Sequence, residues 1–187
     1  QSVAPRVRAI ATRGELGASA ELMGLLPALE IVVCYGVGTD AIDLAAARSR
    51  GIRVTNTPDV LTGDVADIAV GLALAAMRRI PSADAYVRSG AWAHKGMDLV
   101  TRLHGKRVGL VGLGRIGQAI AHRLSGFDVE LGYFNRSARA DSPCRRFDSL
   151  IALADWCDLL IVTLAGGPAT LHLVDGDVLR ALGPKGW

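Results

Sequence analysis

Gly112, Gly114 and Gly117 stand in the spacing G-x-G-x-x-G, directly after the run "RVGLV" and directly before "RIGQAIAHRL". Between a strand and a helix, such glycines have separate tasks. Gly112 permits a tight turn, Gly114 lets the backbone approach a pyrophosphate, and Gly117 lets helix and strand pack closely. Arg115 and Ile116 open the helix, where free N–H groups and the helix dipole favour an anion. A glycine-rich turn without a ligand has the same pattern. Further on, "YFNRSAR" (Tyr133–Arg139) ends what reads as the next strand. A carboxylate there hydrogen-bonds a ribose 2′-hydroxyl and repels a 2′-phosphate. Asn135 removes the repulsion, Arg136 supplies a planar cationic fork, Ser137 a hydroxyl and Arg139 a second charge. A charge-assisted hydrogen bond is worth about 1.5–3 kcal/mol, so one or two favour NADP over NAD by roughly ten- to a thousandfold. The same residues also read as surface arginines of a loop.

The elements that must position these residues follow a βαβ rhythm. "VRAIAT" (Val7–Thr12), "EIVVCYG" (Glu30–Gly36) and "IRVTNT" (Ile52–Thr57) are short β-branched runs, separated by the helical segments "SAELMGLL" and "DAIDLAAARSR". This spacing predicts a parallel sheet covered by helices. "TGDVADIAVGLALAAMRRI" predicts one long helix, with Thr62 or Asp64 as N-cap, arginines near its end and Pro81 beyond it. The helix is apolar on nearly every side, which predicts burial between two lobes. A polar stretch, 81–105, leads to a second series: the strand "RVGLVGLG", the helix "RIGQAIAHRL", the strand "VELGYFN", the helix "DSLIALADWC", the strand "DLLIVTL" and the helix "VDGDVLRAL". "GPKGW" then ends the chain where a further strand is expected.

The chain has 187 residues, enough for one ordinary domain or two small ones. Net charge is +3, and arginine supplies most of the 21 basic residues, but they are scattered and predict no nucleic-acid binding. No apolar run is long enough to span a membrane, and no leader with a cleavage site is evident. Cys34, Cys144 and Cys157 lack paired spacing, which predicts reduced thiols and a cytoplasmic protein. Cys34 and Cys157 sit in or beside apolar runs and read as core. His94, His104, His122 and His172 show no ligand spacing with the cysteines, so no metal site is expected.

The chain resembles the D-2-hydroxyacid dehydrogenase family over essentially its whole length. "YGVGTDAIDLAAARSRGIRVTNTPDVLTGDVADIAVGLALA" is similar to that family's substrate-lobe loop, strand and interdomain helix. "GKRVGLVGLGRIGQAIAHRL" is similar to its cofactor turn, and "DLLIVTLAGGPATLHLVDGDVLRALGPKG" to its late cofactor segment. Within the family the pattern is nearest to NADPH-using hydroxypyruvate and glyoxylate reductases. The resemblance implies an α/β chain: a Rossmann-type parallel-sheet cofactor domain, C-terminally truncated, plus part of a flavodoxin-like substrate domain. Residues 1–61 would be the partial substrate domain. Residues 62–187 would hold the interdomain helix and the incomplete cofactor domain.

The resemblance also implies site residues. The loop Tyr35–Thr39 matches the segment whose amides hold a substrate carboxylate, with Val37 and Gly38 at its centre; a plain strand-to-helix turn is the other reading. Thr62 matches a position on the nicotinamide side of the cleft. Gly112 and Gly114–Gly117 match the pyrophosphate turn, and Asn135–Ser137 the ribose contacts. Thr163 and Leu164 match the end of the fourth cofactor strand, beside the adenosine, and Thr170 the loop that follows. Two departures stand out: Ala165 where the family usually has proline, and Asp128 where glycine is common. The family's catalytic arginine, glutamate and histidine would lie beyond Trp187, and its first strand and helix before Gln1. The sequence thus reads as a fragment cut at both ends, with no catalytic residue in this chain.

The implied activity of the parent protein is reduction of small 2-keto acids of the glyoxylate/hydroxypyruvate type to D-2-hydroxy acids, by hydride transfer from NADPH. A homodimer through the interdomain helix region is also implied. A nucleotide-binding sensor or corepressor-like module of the same fold is the alternative. An unrelated dinucleotide enzyme, such as an amino-acid dehydrogenase, lacks the substrate-loop match.

Overall fold

The structure is a computed structural model that describes residues 3–139 and 141–187. It divides into two compact units: Gln1–Leu61 with Ala165–Leu171, and Thr62–Leu164 with His172–Trp187.

The first unit holds a parallel three-stranded sheet in the order β1 (Ala9–Arg13), β2 (Ile31–Tyr35), β3 (Arg53–Thr55). The connecting helices are α1 (Ala20–Gly24) and α2 (Leu44–Ser49). Ser19 Oγ accepts from Leu22 N–H, and Asp43 Oδ1 from Ala46 N–H, so each helix starts where a short oxygen side chain caps it. The cap at Asp43 leaves Asp40–Ile42 outside α2, which is shorter than the sequence predicts. Met23, Val32, Cys34, Ala47 and Ile52 form the core. Val32 and Cys34 are buried, but Val33 and Tyr35 are 41% and 79% exposed, so β2 is packed on one face only.

The second unit has four parallel strands in the order β6 (Arg145–Phe147), β5 (Glu130–Phe134), β4 (Arg107–Val111), β7 (Leu159–Val162). β4 is central, and Val108 to Val111 are all buried, the pattern of a parallel strand covered on both faces. On one face, α5 (Arg115–Leu124) packs with α3 (Thr62–Met77) around Val70, Met77, Leu110, Ile120, Leu124 and Tyr133. On the other, α6 (Leu150–Trp156) and α7 (Gly176–Leu182) pack around Val111, Leu153 and Val178. Paired Gly109 and Gly132 let α6 lie close. A Cβ on Gly109 would meet Cys157 Sγ at 2.9 Å, and one on Gly132 would meet Trp156 at 2.6 Å. Arg107 N–H donates to Asp158 Oδ2 at 2.9 Å and the guanidinium lies 3.4 Å from the same carboxylate, tying the start of β4 to β7. Trp187 lies alongside β7: its N–H donates to Asp158 O and its carbonyl accepts from Leu160 N–H.

Three expectations for this unit change. The long helix ends at Met77, and a separate helix, α4 (Ile80–Arg88), follows with Pro81 in its first turn. Pro81 has no N–H to give the Met77 carbonyl, so it ends α3, yet it is well tolerated where a helix begins. Arg79, in left-handed conformation at φ 52°, makes the break. The stretch after Pro81 is therefore partly helical. α3 is not buried all round either: Ile68 and Leu72 are 58% and 61% exposed. β6 was not expected, since two of its three residues are arginines. Asp128, by contrast, does take the conformation glycine would favour, at φ 52°.

Candidate functional site

The glycine turn lies at the carboxyl end of β4, between β5 on one side and β7 on the other. Chain order reverses there, the point at which open α/β sheets leave a crevice for ligands. Its backbone is held from every side. Gly112 N–H donates to Phe134 O, and the Gly112 carbonyl accepts from Thr163 Oγ1 at 2.7 Å. Leu113 N–H donates to Asn135 Oδ1 at 2.8 Å, and its carbonyl accepts from Gln118 Nε2 at 3.2 Å. Gly112 has φ 97°, and a Cβ there would lie 3.0 Å from Thr163 O. A Cβ on Gly117 would lie 2.2 Å from Gly112 O. These are the tight turn and the close packing that the spacing predicts.

Gly114 is different. A Cβ there would meet nothing within 4 Å. Gly114 is the N-cap of α5 and caps it with no side chain. The N–H groups of Gly114 and Ile116 find no acceptor among the described residues. Open space beside uncapped helical N–H groups suits a pyrophosphate. Arg115 is exposed beside this space, and Ile116 is half-buried against the core.

Asn135 is half-buried and follows β5, with Arg136 and Ser137 exposed after it. Its Oδ1 is occupied by the turn, and its Nδ2 has no acceptor among the described residues. Leu164 leans on Gly112 and packs with the α6 cluster. Thus Gly112, Gly114, Arg115, Ile116, Gly117, Asn135, Thr163 and Leu164 cluster around one turn, and Arg136 and Ser137 follow Asn135 in the chain. Thr62 begins α3 in the same unit. The first turns of that helix are tied to α5: Arg123 bonds the Asp67 carboxylate, and its Nη2 donates to Gly63 O at 3.3 Å.

Thr170 falls elsewhere. Its Oγ1 donates to Ala165 O at 2.7 Å, within the segment Ala165–Leu171, which groups with the first unit. The reason is local: the Asp40 carboxylate lies 3.3 Å from where a Gly166 Cβ would be.

In the first unit, Val37 and Gly38 line a hollow of about 580 Å³ with Gly14, Glu15, Tyr35 and Asp40. Three consecutive carbonyls of the loop are engaged. Gly36 O accepts from Thr57 N–H, Val37 O from Asn56 Nδ2 at 2.9 Å, and Gly38 O from Cys34 Sγ at 3.3 Å. The N–H groups of Val37 and Gly38 have no acceptor among the described residues. Fixed carbonyls and free amides make an anion cradle. Glu15 and Asp40 line the same hollow, so the charged side chains on it are acidic. Gly14 matters too, since a Cβ there would press on Gly38 O at 2.8 Å. Asn56 and Thr57 were missed in the sequence; their signal is a pair of polar residues just after a strand.

Four histidines are exposed, and His104 Nδ1 lies 3.4 Å from Asp128 Oδ2. All three cysteines are buried and free, as the runs around Cys34 and Cys157 predict. Burial pushes the Cys157 thiol up to about 11. Burial alone would raise the Asp158 carboxyl, but the Arg107 N–H, its guanidinium and the Lys106 charge together hold it below its ordinary value. Among the described residues there is no cluster fit for a metal ion and no helix long and apolar enough to cross a membrane.

A switch-point glycine turn on a four-stranded parallel sheet in one unit, and free loop amides in a second, smaller α/β unit, define the class: a two-unit dinucleotide-binding α/β protein. Residues 70–187 match the model of the D-isomer specific 2-hydroxyacid dehydrogenase NAD binding domain, and the chain belongs to that family. It is 48% identical over 183 residues to hydroxyphenylpyruvate reductase of Plectranthus scutellarioides, covering 98% of this chain and 58% of the relative. It is 47% identical over 187 residues to 2-ketogluconate reductase of Gluconobacter oxydans, covering 100% and 60%. Among solved structures, the NADPH-dependent glyoxylate/hydroxypyruvate reductase of Sinorhizobium meliloti, in complex with NADP and malonate, matches with a TM-score of 0.91 at 44% identity. That match covers 100% of this chain and 58% of the other. The chain thus spans less than two thirds of the length of these relatives.

Proposed function

We propose that this chain carries the cofactor and carboxylate recognition of an NADPH-dependent reductase of small 2-keto acids, of the glyoxylate/hydroxypyruvate type, yielding D-2-hydroxy acids. One observation carries the cofactor assignment. Asn135 Oδ1 accepts from Leu113 N–H, and exposed Arg136 and Ser137 follow with no carboxylate between Leu131 and Arg139. An aspartate would accept the same hydrogen bond, so asparagine is not needed for the turn itself. What it changes is charge, and a neutral site beside a guanidinium favours a phosphate.

On this reading Thr62–Leu164 with His172–Trp187 is the cofactor lobe, and the remainder is part of the substrate lobe. Gly112, Gly114, Arg115, Ile116 and Gly117 receive the pyrophosphate. Asn135, Arg136 and Ser137 receive the 2′-phosphoribose. Thr163 and Leu164 hold the turn on the adenosine side, with Thr62 and Thr170 assigned to the cofactor on resemblance alone. Val37 and Gly38 N–H groups orient the substrate carboxylate. When bound, the reduced nicotinamide supplies a hydride to the carbonyl carbon. No catalytic acid is assigned in this chain. The exposed Ile68 and Leu72 on α3 suit a homodimer through that helix, and three free thiols suit a reducing cytoplasm.

The test is a titration of NADPH and NADH against the chain and against Asn135→Asp combined with Arg136→Ala. The starting chain binds NADPH at least tenfold more tightly, and the double variant shifts toward NADH. Equal affinities at the start overturn the assignment. If the whole protein binds NADPH but leaves every small 2-keto acid unreduced, the sensor reading replaces the enzyme.

A further inference from the structure

We propose that Tyr133 is a positioning residue for cofactor choice: its hydroxyl fastens the loop that presents Arg136 and Ser137. The inference rests on reading that loop as the 2′-phosphate site.

Tyr133 lies in β5 and is 2% exposed, packed in the α3–α5 core. A buried phenol needs a partner for its oxygen. Here the partner is neither a core group nor another side chain. The hydroxyl oxygen accepts from the Arg139 backbone N–H at 3.0 Å, six residues further on. The chain therefore leaves β5, turns through Asn135–Ala138 and is drawn back onto the strand it has just left.

Little else holds this segment. Arg136, Ser137, Ala138 and Arg139 are all exposed, so packing contributes little. Behind the segment is a hollow of about 690 Å³, between Ala138, Arg139 and Ser142 on the loop and Gln118, Ala121 and His122 on α5. The loop spans space rather than resting on a core. Its first residue is fixed by the bond from Leu113 N–H to Asn135, and Cys144, further along, is buried in the α3–α5 core. Among the described residues, the Tyr133–Arg139 bond is the only hydrogen bond from the backbone of Arg136–Arg139 to the core. Without it, the guanidinium and hydroxyl that meet a 2′-phosphate must be ordered when the ligand binds, and that ordering weakens binding. NADH, which lacks the phosphate, makes no use of those groups.

Tyr133→Phe removes the oxygen and keeps the ring. NADPH affinity should fall by about two- to tenfold, the worth of one neutral hydrogen bond, while NADH affinity stays unchanged. Trypsin should nick the variant faster at Arg136 or Arg139, and saturating NADPH should slow that cleavage. A merely structural role would lower both affinities together. An equal fall in both, or an unchanged NADPH-to-NADH ratio with an NADPH-preferring starting chain, overturns the inference and leaves the cofactor assignment standing. A starting chain without NADPH preference overturns both. A second measurement needs no variant: hydrogen exchange on the unaltered chain should show the Arg139 amide protected relative to those of Arg136–Ala138. Exchange of the Arg139 amide at an unprotected rate also overturns the proposal.

Discussion

Gly114 and Gly117 lie three residues apart in one turn, and a side chain on each should fail in opposite ways. At Gly114 a Cβ meets nothing within 4 Å, and φ is −77°, which any residue adopts. Gly114→Val therefore costs the fold little: replacing an N-cap glycine costs up to about 1 kcal/mol. In a chain of this size that lowers Tm by about 2–4 °C. The valine fills the space assigned to the pyrophosphate and forces it off the Gly114 and Ile116 N–H groups. Losing one or two charge-assisted hydrogen bonds at about 1.5–3 kcal/mol each weakens NADPH roughly ten- to a thousandfold or more. At Gly117 the new Cβ would lie 2.2 Å from Gly112 O and 3.2 Å from Thr163 Oγ1. The first gap is about 1 Å short of ordinary contact, so α5 must move off β4. Overpacking of this kind costs about 1–3 kcal/mol. Gly117→Ala should thus melt about 2–12 °C lower. Differential scanning calorimetry and fluorescence titration of both variants separate the two effects. If Gly114→Val keeps full NADPH affinity, the turn is not the cofactor site. If it melts as low as Gly117→Ala, the space beside Gly114 is not open, and the geometry above is wrong.

Other outcomes follow from groups away from the turn. Asp158→Asn should lower stability at pH 7 by about 0.5–1.5 kcal/mol, discounted for partial exposure. Because the folded carboxyl titrates below its unfolded value near 3.9, its contribution is complete above that pH and is lost as pH falls through the folded value. The gap between wild type and variant in a urea-melt series should close there, and a gap constant from pH 7 to pH 2 would contradict the assignment. An aromatic disulfide reagent at pH 8 should find no reactive thiol in the native chain and three in denaturant, since Cys34, Cys144 and Cys157 are buried. Rapid native labelling of Cys157 would contradict a thiol raised to about 11.

The glycine turn was legible in the sequence because each glycine answers a backbone demand: a positive φ at Gly112, a missing Cβ at Gly117. The central strand was legible because a run buried on both faces shows as unbroken apolar residues. α4 was hidden because Pro81 marks a stop and a start with the same letter. β6 was hidden because a three-residue edge strand with two arginines has no periodicity to display. The exposed side of α3 was misread, since composition records how apolar a helix is and not which of its faces is covered. Hydroxyl bonds are the least legible of all. Nothing in the letters says that Thr163 reaches back to Gly112 or that Tyr133 reaches forward to Arg139.

The paired glycines at 109 and 132 bear on how sequences of this fold can change. Two neighbouring strands lack a Cβ at the same level, and Phe147, Leu153, Trp156 and Cys157 occupy the trough that results. The separation of helix and sheet is thus recorded in atoms the sheet does not have. A methyl group gained at either glycine is admissible only after one of these side chains has shrunk. A side chain that shrinks first leaves a void. Neither order of events is neutral, so the strands and the helix are locked to one another's history. Substitutions at these six positions should be accepted as sets, and the order in which they arise decides which sets are reachable.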